Sequence, residues 1–157
     1  MEKIAIFVDV QNIYYTTRQH FQKQFNYKAF WNKATENREV VAAFAYAIDK
    51  GDAKQRGFQN TLRKIGFTIK LKPYIQRRDG SAKGDWDVGI TLDMIELAAQ
   101  VDTLILLSGD GDFDLLLQKA QQVYDVPTEV YGVSSLTAPS LINSAKLYIP
   151  IDNSLLM

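Results

Sequence analysis

Five short β-rich runs, at residues 4–8 (IAIFV), 40–47, 67–74, 103–107 (TLILL) and 128–131, alternate along the chain with segments of helical pattern. Near-continuous apolar strands interleaved with helices predict a parallel sheet covered on both faces, since an open face of such strands would leave apolar area in water. The helical segments are expected at 11–25, 53–65, 87–100 and 113–124, with a shorter helix near Ser140 and a last strand at 146–149. Gly66 stands just past the second helix, where a C′ glycine ends one. Residues 27–37 fit either a short helix or a lid. No repeat or linker breaks the alternation, so residues 1–152 are expected to form one domain and residues 153–157 a short, loose tail.

Composition removes several classes of chemistry. The chain has 157 residues, enough for one domain, and 46% hydrophobic content, enough for one core. It has no cysteine, which excludes disulfides, thiolate zinc sites and cysteine nucleophiles. His20 is the single histidine, which excludes a multi-histidine metal site and a histidine acid–base pair. Lys+Arg and Asp+Glu both number 18, so there is no global basic signal, and any nucleic-acid contact must come from a local patch. The apolar run at the start is too short for a signal-peptide core, and no run approaches the ~20 residues of a membrane span. A cytoplasmic protein without membrane contact is expected.

In doubly wound sheets the ligand site lies outside the carboxyl ends of the strands, where the strand order switches. Asp9 and Asp110 follow the two most apolar strands, so they share one rim if those strands are neighbours. Asp85, Asp87, Asp93, Asp112 and Asp114 complete the acidic set. Carboxylates gathered without cations repel and raise each other's pKa. A hard divalent cation such as Mg²⁺ or Mn²⁺ relieves that repulsion, lowers the pKa of a bound water and offsets charge on a phosphoryl group. Each residue also has a plainer explanation. Asp9 and Asp87 can cap the helices that follow them, Asn12 can be a cap or turn residue, and Asp85 can be a loop charge. Asp93 lies about 240° around the helix from Asp87 and joins a polar stripe with Gly89, Glu96 and Gln100. The Asp110, Asp112, Asp114 run is not a calcium loop, because Leu115 and Gln121 stand where glycine and glutamate are required. A glycine-rich dinucleotide fingerprint is absent after the first strand, as is the second aspartate of a phosphatase D-x-D-x-T.

Arg77, Arg78 and Lys83 lie on the loop leading to Asp87 and are its nearest cations in sequence. Such residues make base-independent, salt-sensitive phosphate contacts. Tyr74 and Trp86 flank that loop and could stack on an unpaired base, or Trp86 could pack in the core. Tyr14 and Tyr15 are assigned to the core or its rim.

Three segments, FVDVQN at 7–12, KGDWDVGITLD at 83–93 and LSGDGDF at 107–113, resemble the three motifs of the NYN domain family and most closely its LabA-like branch. The resemblance runs from about Lys3 to about Ile149. It implies a PIN-like three-layer α/β/α sandwich with a central, mostly parallel sheet, and a metal-dependent ribonuclease acting on RNA, single-stranded or structured. By the same resemblance Asp9, Asp87, Asp110 and Asp112 would be the catalytic metal ligands for Mg²⁺ or Mn²⁺, with Asp85 and Asp93 as further candidates. Asn12 and Ser108 would orient those ligands or bind phosphate, and Lys83, Arg77, Arg78 and Trp86 would meet the substrate. In the family a single residue stands between the Lys-Gly pair and the helix-start aspartate; here Asp85 and Trp86 intervene. Either Asp85 shares the ligand role or the loop is one residue longer. The alternative function is a catalytically silent RNA- or protein-binding module on the same fold, and a homodimer is compatible with the sequence without being selected by it.

Overall fold

The computed structural model describes residues 1–73, 75–76, 82–83 and 85–157, with the backbone alone for 73, 75–76 and 82–83. In chain order the strands are β1 (Glu2–Asp9), β2 (Arg38–Asp49), β3 (Thr68–Pro73), β4 (Ile75–Gln76), β5 (Ala82–Lys83), β6 (Thr103–Leu107), β7 (Thr128–Gly132) and β8 (Leu147–Pro150). The α-helices are α1 (Val10–Phe21), α2 (Tyr27–Ala34), α3 (Ala53–Ile65), α4 (Asp87–Ala98), α5 (Asp114–Tyr124) and α6 (Pro139–Ser144). Six strands form one sheet in the order β3-β2-β1-β6-β7-β8, and every neighbouring pair is parallel. β4 and β5 form a separate antiparallel pair.

From β1 the chain winds outward to β2 and β3, then crosses back and builds β6, β7 and β8 on the other side. The order therefore switches between β1 and β6, where a crevice opens beyond the strand ends. The register sets Val8 beside Leu107, so the residues following both strands emerge side by side.

The pleat sends Ile4, Ile6 and Val8 of β1 to one face and Ala5 and Phe7 to the other, and all five are fully buried. The first face is covered by α1, α2 and α3 through Ile13, Phe30 and Leu62. The second is covered by α4, α5 and α6 through Ile90, Met94, Leu117 and Leu141. These are the three layers of the expected α/β/α sandwich.

Some elements depart from their sequence-based bounds. Residues 27–34 are a packed helix rather than a lid: Asn26 caps α2 by accepting from the Ala29 N–H at 3.0 Å, and Tyr27, Phe30 and Ala34 are buried. The first helix stops at Phe21 because Gln22 turns left-handed, with φ of 54°, which brings Phe25 into the core. β2 begins early, at Arg38, whose guanidinium forks onto Glu129 at 3.0 and 2.6 Å and meets Glu2 at 2.7 Å. The stretch expected as a plain loop carries the β4–β5 pairing. The last residues do not hang loose. Leu155 and Leu156 are buried, Leu155 O accepts from the Asn26 N–H at 2.7 Å, and the Met157 N–H donates to Gln24 O at 2.9 Å. Two leucines supply apolar area that the fold takes out of water, and a run so short leaves no periodic signal. Among the described residues no helix is long and apolar enough to cross a membrane.

Candidate active site

Asp9 ends β1 and caps α1, with Oδ1 accepting from the Asn12 N–H at 3.4 Å. Its other oxygen, Oδ2, accepts from the hydroxyl of Ser108 at 3.1 Å. Ser108 follows β6 and is fully buried, and its Oγ also accepts from the Asp110 N–H at 3.1 Å. One hydroxyl thus joins the two acidic residues that leave neighbouring strands. Asn12 adds a second tie, its side-chain oxygen accepting from the Gly109 N–H at 2.9 Å. Position 109 has no room for a side chain, since a Cβ there would lie 2.7 Å from the Leu136 carbonyl oxygen. Asp110 then caps the 3-10 turn Gly111–Phe113, accepting from the Asp112 N–H at 2.9 Å. Asp87 opens α4 and brings a third carboxylate from the other side of the crevice.

Asp9, Asp87 and Asp110 each offer an oxygen, and these oxygens lie within 4.8 Å of one another. They line a cleft of about 250 Å³ together with Gln11, Asn12, Tyr15, Thr16 and Asp85. Burial pushes the Asp9 carboxyl up to about 6, with the charges of Asp110 and Asp85 adding to it and the bonds from Asn12 and Ser108 opposing it. The Asp87 carboxyl is pushed up to about 7, first by burial, then by the charges of Asp110 and Asp85, a hydrogen bond with Asp110 and the charge of Asp9. Among the described residues, the charged neighbours that shift these two carboxyls are all carboxylates. A close set of hard oxygen donors that repel one another fits a hard divalent cation, and Mg²⁺ and Mn²⁺ are of that class.

The remaining candidates divide. Asp112 is exposed and stands outside the trio, touching it through its backbone N–H. Asp85 sits at the lip of the cleft and accepts from the Asp87 N–H at 3.3 Å. Asp93 is not brought into the trio; its Oδ2 is held by Lys70 at 2.6 Å and by the Tyr46 hydroxyl at 2.7 Å. Trp86 is half-buried and packed against its own chain. Its Nε1–H donates to Ala47 O at 2.9 Å, its ring lies over Gly89, where a Cβ would sit 2.5 Å away, and Lys72 Nζ is 4.5 Å from the ring centre. These contacts give Trp86 the packing role that the sequence offered beside base stacking. Arg77, Arg78 and Tyr74 lie outside the described residues, as does the side chain of Lys83. Gln11, Tyr15 and Thr16 were not singled out as site residues from the sequence. Their signal was the spacing of four residues, Gln11 to Tyr15 and Asn12 to Thr16, on the helix that Asp9 caps.

Fold and carboxylate trio together define a doubly wound α/β protein of the PIN-like, nuclease-like class. Residues 3–152 match the NYN domain, and the chain belongs to that family, in its LabA-like branch. It is 28% identical over 162 residues to the low amplitude and bright protein LabA of Synechococcus elongatus, an alignment covering 96% of this chain and 84% of that protein. A crystal structure of a protein of unknown function from Vibrio parahaemolyticus superposes with a TM-score of 0.95 at 58% identity, over 99% of this chain and 96% of the other.

Proposed function

We propose that the protein is a metal-dependent ribonuclease that hydrolyses RNA phosphodiester bonds at Asp9, Asp87 and Asp110. The observation that carries this is the convergence of three carboxylates, from the ends of β1 and β6 and the start of α4, on one point of the switch crevice. Membership of a nuclease-like family supports it. A cytoplasmic site of action goes with an RNA substrate.

These three residues would hold one or two Mg²⁺ or Mn²⁺ ions. When bound, such a cation lowers the pKa of water and stabilises charge developing on the phosphoryl group. The chain's own part is to fix the donors. Ser108 and the Asn12 N–H each occupy one Asp9 oxygen edge, which holds that carboxylate in a single orientation. Asn12 clamps the exit loop of β6 through Gly109, so the Asp110 carboxylate keeps its place relative to Asp9. Asp112 stands on the same turn, exposed, where its carboxylate can orient an outer water or a substrate hydroxyl. Arg77, Arg78 and Lys83 are assigned to phosphate contacts that position the strand.

The test is incubation of the purified protein with end-labelled single-stranded RNA and a hairpin RNA in Mn²⁺, in Mg²⁺ and in EDTA, with Asp110→Asn alongside. Metal-dependent cleavage that falls at least about a hundredfold in the variant is expected, the scale set by loss of one group that stabilises transition-state charge. Binding of RNA without cleavage in either metal would favour the silent binding module instead.

A further inference from the structure

On the cleft face of α1, an aromatic side chain points away from the core. Ile13 and Thr17 are the buried residues of that helix. Tyr15 lies about 200° around the helix from Ile13, on the opposite side. It is 53% exposed, yet it lines the cleft with Asp9, Asp87 and Asp110. Core packing therefore does not explain a large aromatic ring at this position. Tyr14 braces it edge-on, with ring centres 5.3 Å apart at 76°, and Arg18 braces Tyr14 in turn through its ring face and its hydroxyl. The ring is thus held at the cleft while one side faces solvent.

The rest of the lining raises the need for such a group. Among the described residues the cleft is lined by four aspartates and by Gln11, Asn12, Tyr15 and Thr16, with no lysine or arginine. A cation held by the trio would attract a phosphate, but the aspartates present no apolar face to the base attached to it. Attraction that does not depend on charge must come from the neutral side, where Tyr15 has the largest surface. Bases stack on exposed aromatic rings with little sequence preference, and a base can do so only when it is free of its own duplex.

We infer that Tyr15 is a stacking platform for an unpaired nucleobase next to the scissile phosphate. Gln11, one turn before Tyr15 and also lining the cleft, meets the edge of the same nucleotide. Tyr15 is here a substrate-positioning residue, and the inference rests on the ribonuclease reading of the trio.

The test is fluorescence anisotropy with a short labelled single-stranded RNA in EDTA, where binding does not depend on the cation. It is run in the Asp110→Asn background so that the strand is not consumed, with Tyr15 intact, Tyr15→Ala and Tyr15→Trp. Two further probes are a duplex of the same sequence and a strand of the same length with abasic positions. Tyr15→Ala should weaken binding of the single strand about tenfold or more, and Tyr15→Trp should restore it. The abasic strand and the duplex should bind all three proteins alike. Equal binding of the intact strand by Tyr15→Ala, or an equal loss on the abasic strand, would overturn the inference. In a parallel cleavage assay, metal-dependent cutting that is indifferent to Tyr15 would sink the platform and leave the nuclease standing. Absence of cutting by the unsubstituted protein, with Tyr15-dependent binding retained, would sink the nuclease and leave the platform.

Discussion

Asp9 and Asp87 carry charge that the metal-free fold disfavours. Their carboxyls titrate near 6 and 7 in the folded chain against an ordinary 3.8, so between about pH 4 and 7 the folded state binds more protons than the unfolded state. Stability therefore falls as pH rises through that window, and the penalty is complete above it. The metal-free protein should accordingly melt higher near pH 5 than near pH 8 in this contribution, which thermal melts in EDTA across that range would check. Asp9→Asn removes the charge from the more buried of the two. It should stabilise the metal-free protein at pH 8 by about 1–2 kcal/mol, a few degrees in melting temperature. Ser108 has the opposite sign. Ser108→Ala leaves a part-buried Asp110 N–H and an Asp9 oxygen without their shared partner, and should cost about 1–3 kcal/mol in urea denaturation. The acidic positions of the site were legible in the sequence because each stands at a strand end or helix start. The hydroxyl that joins them was legible only as a residue of a motif, since its two bonds reach across the switch in strand order.

At the scale of elements, α4 joins the site to the sheet through residues that do not touch the cleft. Asp93 is tied to β3 through Lys70 and to β2 through Tyr46, which pins the helix behind Asp87. No spacing along the helix reveals those partners, because they sit 23 and 47 positions away in the chain. Asp93→Asn should lower stability by about 1–2 kcal/mol while leaving Mn²⁺ affinity unchanged, as paired denaturation and titration calorimetry would show. A loss of Mn²⁺ affinity equal to that of Asp87→Asn would instead make Asp93 a ligand. Gly89 gives a second check on the same helix. Glycine to alanine in a helix ordinarily gains up to about 1 kcal/mol. Here the new Cβ would meet the Trp86 ring at 2.5 Å, so the clash outweighs the gain. Gly89→Ala should destabilise and shift tryptophan emission to the red as the indole is pushed outward.

For the whole molecule, the alternation of apolar runs and helices was enough to read a parallel sheet with two covered faces, because that topology buries its strands and leaves continuous apolar sequence. The strand order was not readable, yet it decides the site: only with β1 beside β6 do Asp9 and Asp110 share a rim. The closing segment was also missed. Its contribution is large, since Leu155 and Leu156 complete the face lined by α2 and by Phe25. Deleting the last three residues should cost about 3 kcal/mol or more, from two buried leucines and two backbone hydrogen bonds, read as a lower urea midpoint. The trio should act as a cation site and not merely as a crowded acidic cap. A thermal-shift titration with Mn²⁺ at pH 8, on the unsubstituted protein and on Asp9→Asn, Asp87→Asn and Asp110→Asn, tests that directly. Each variant should melt at or above the unsubstituted protein in EDTA, and Mn²⁺ should raise only the unsubstituted protein. Equal stabilisation by Mn²⁺ in all four, or in none, would contradict it.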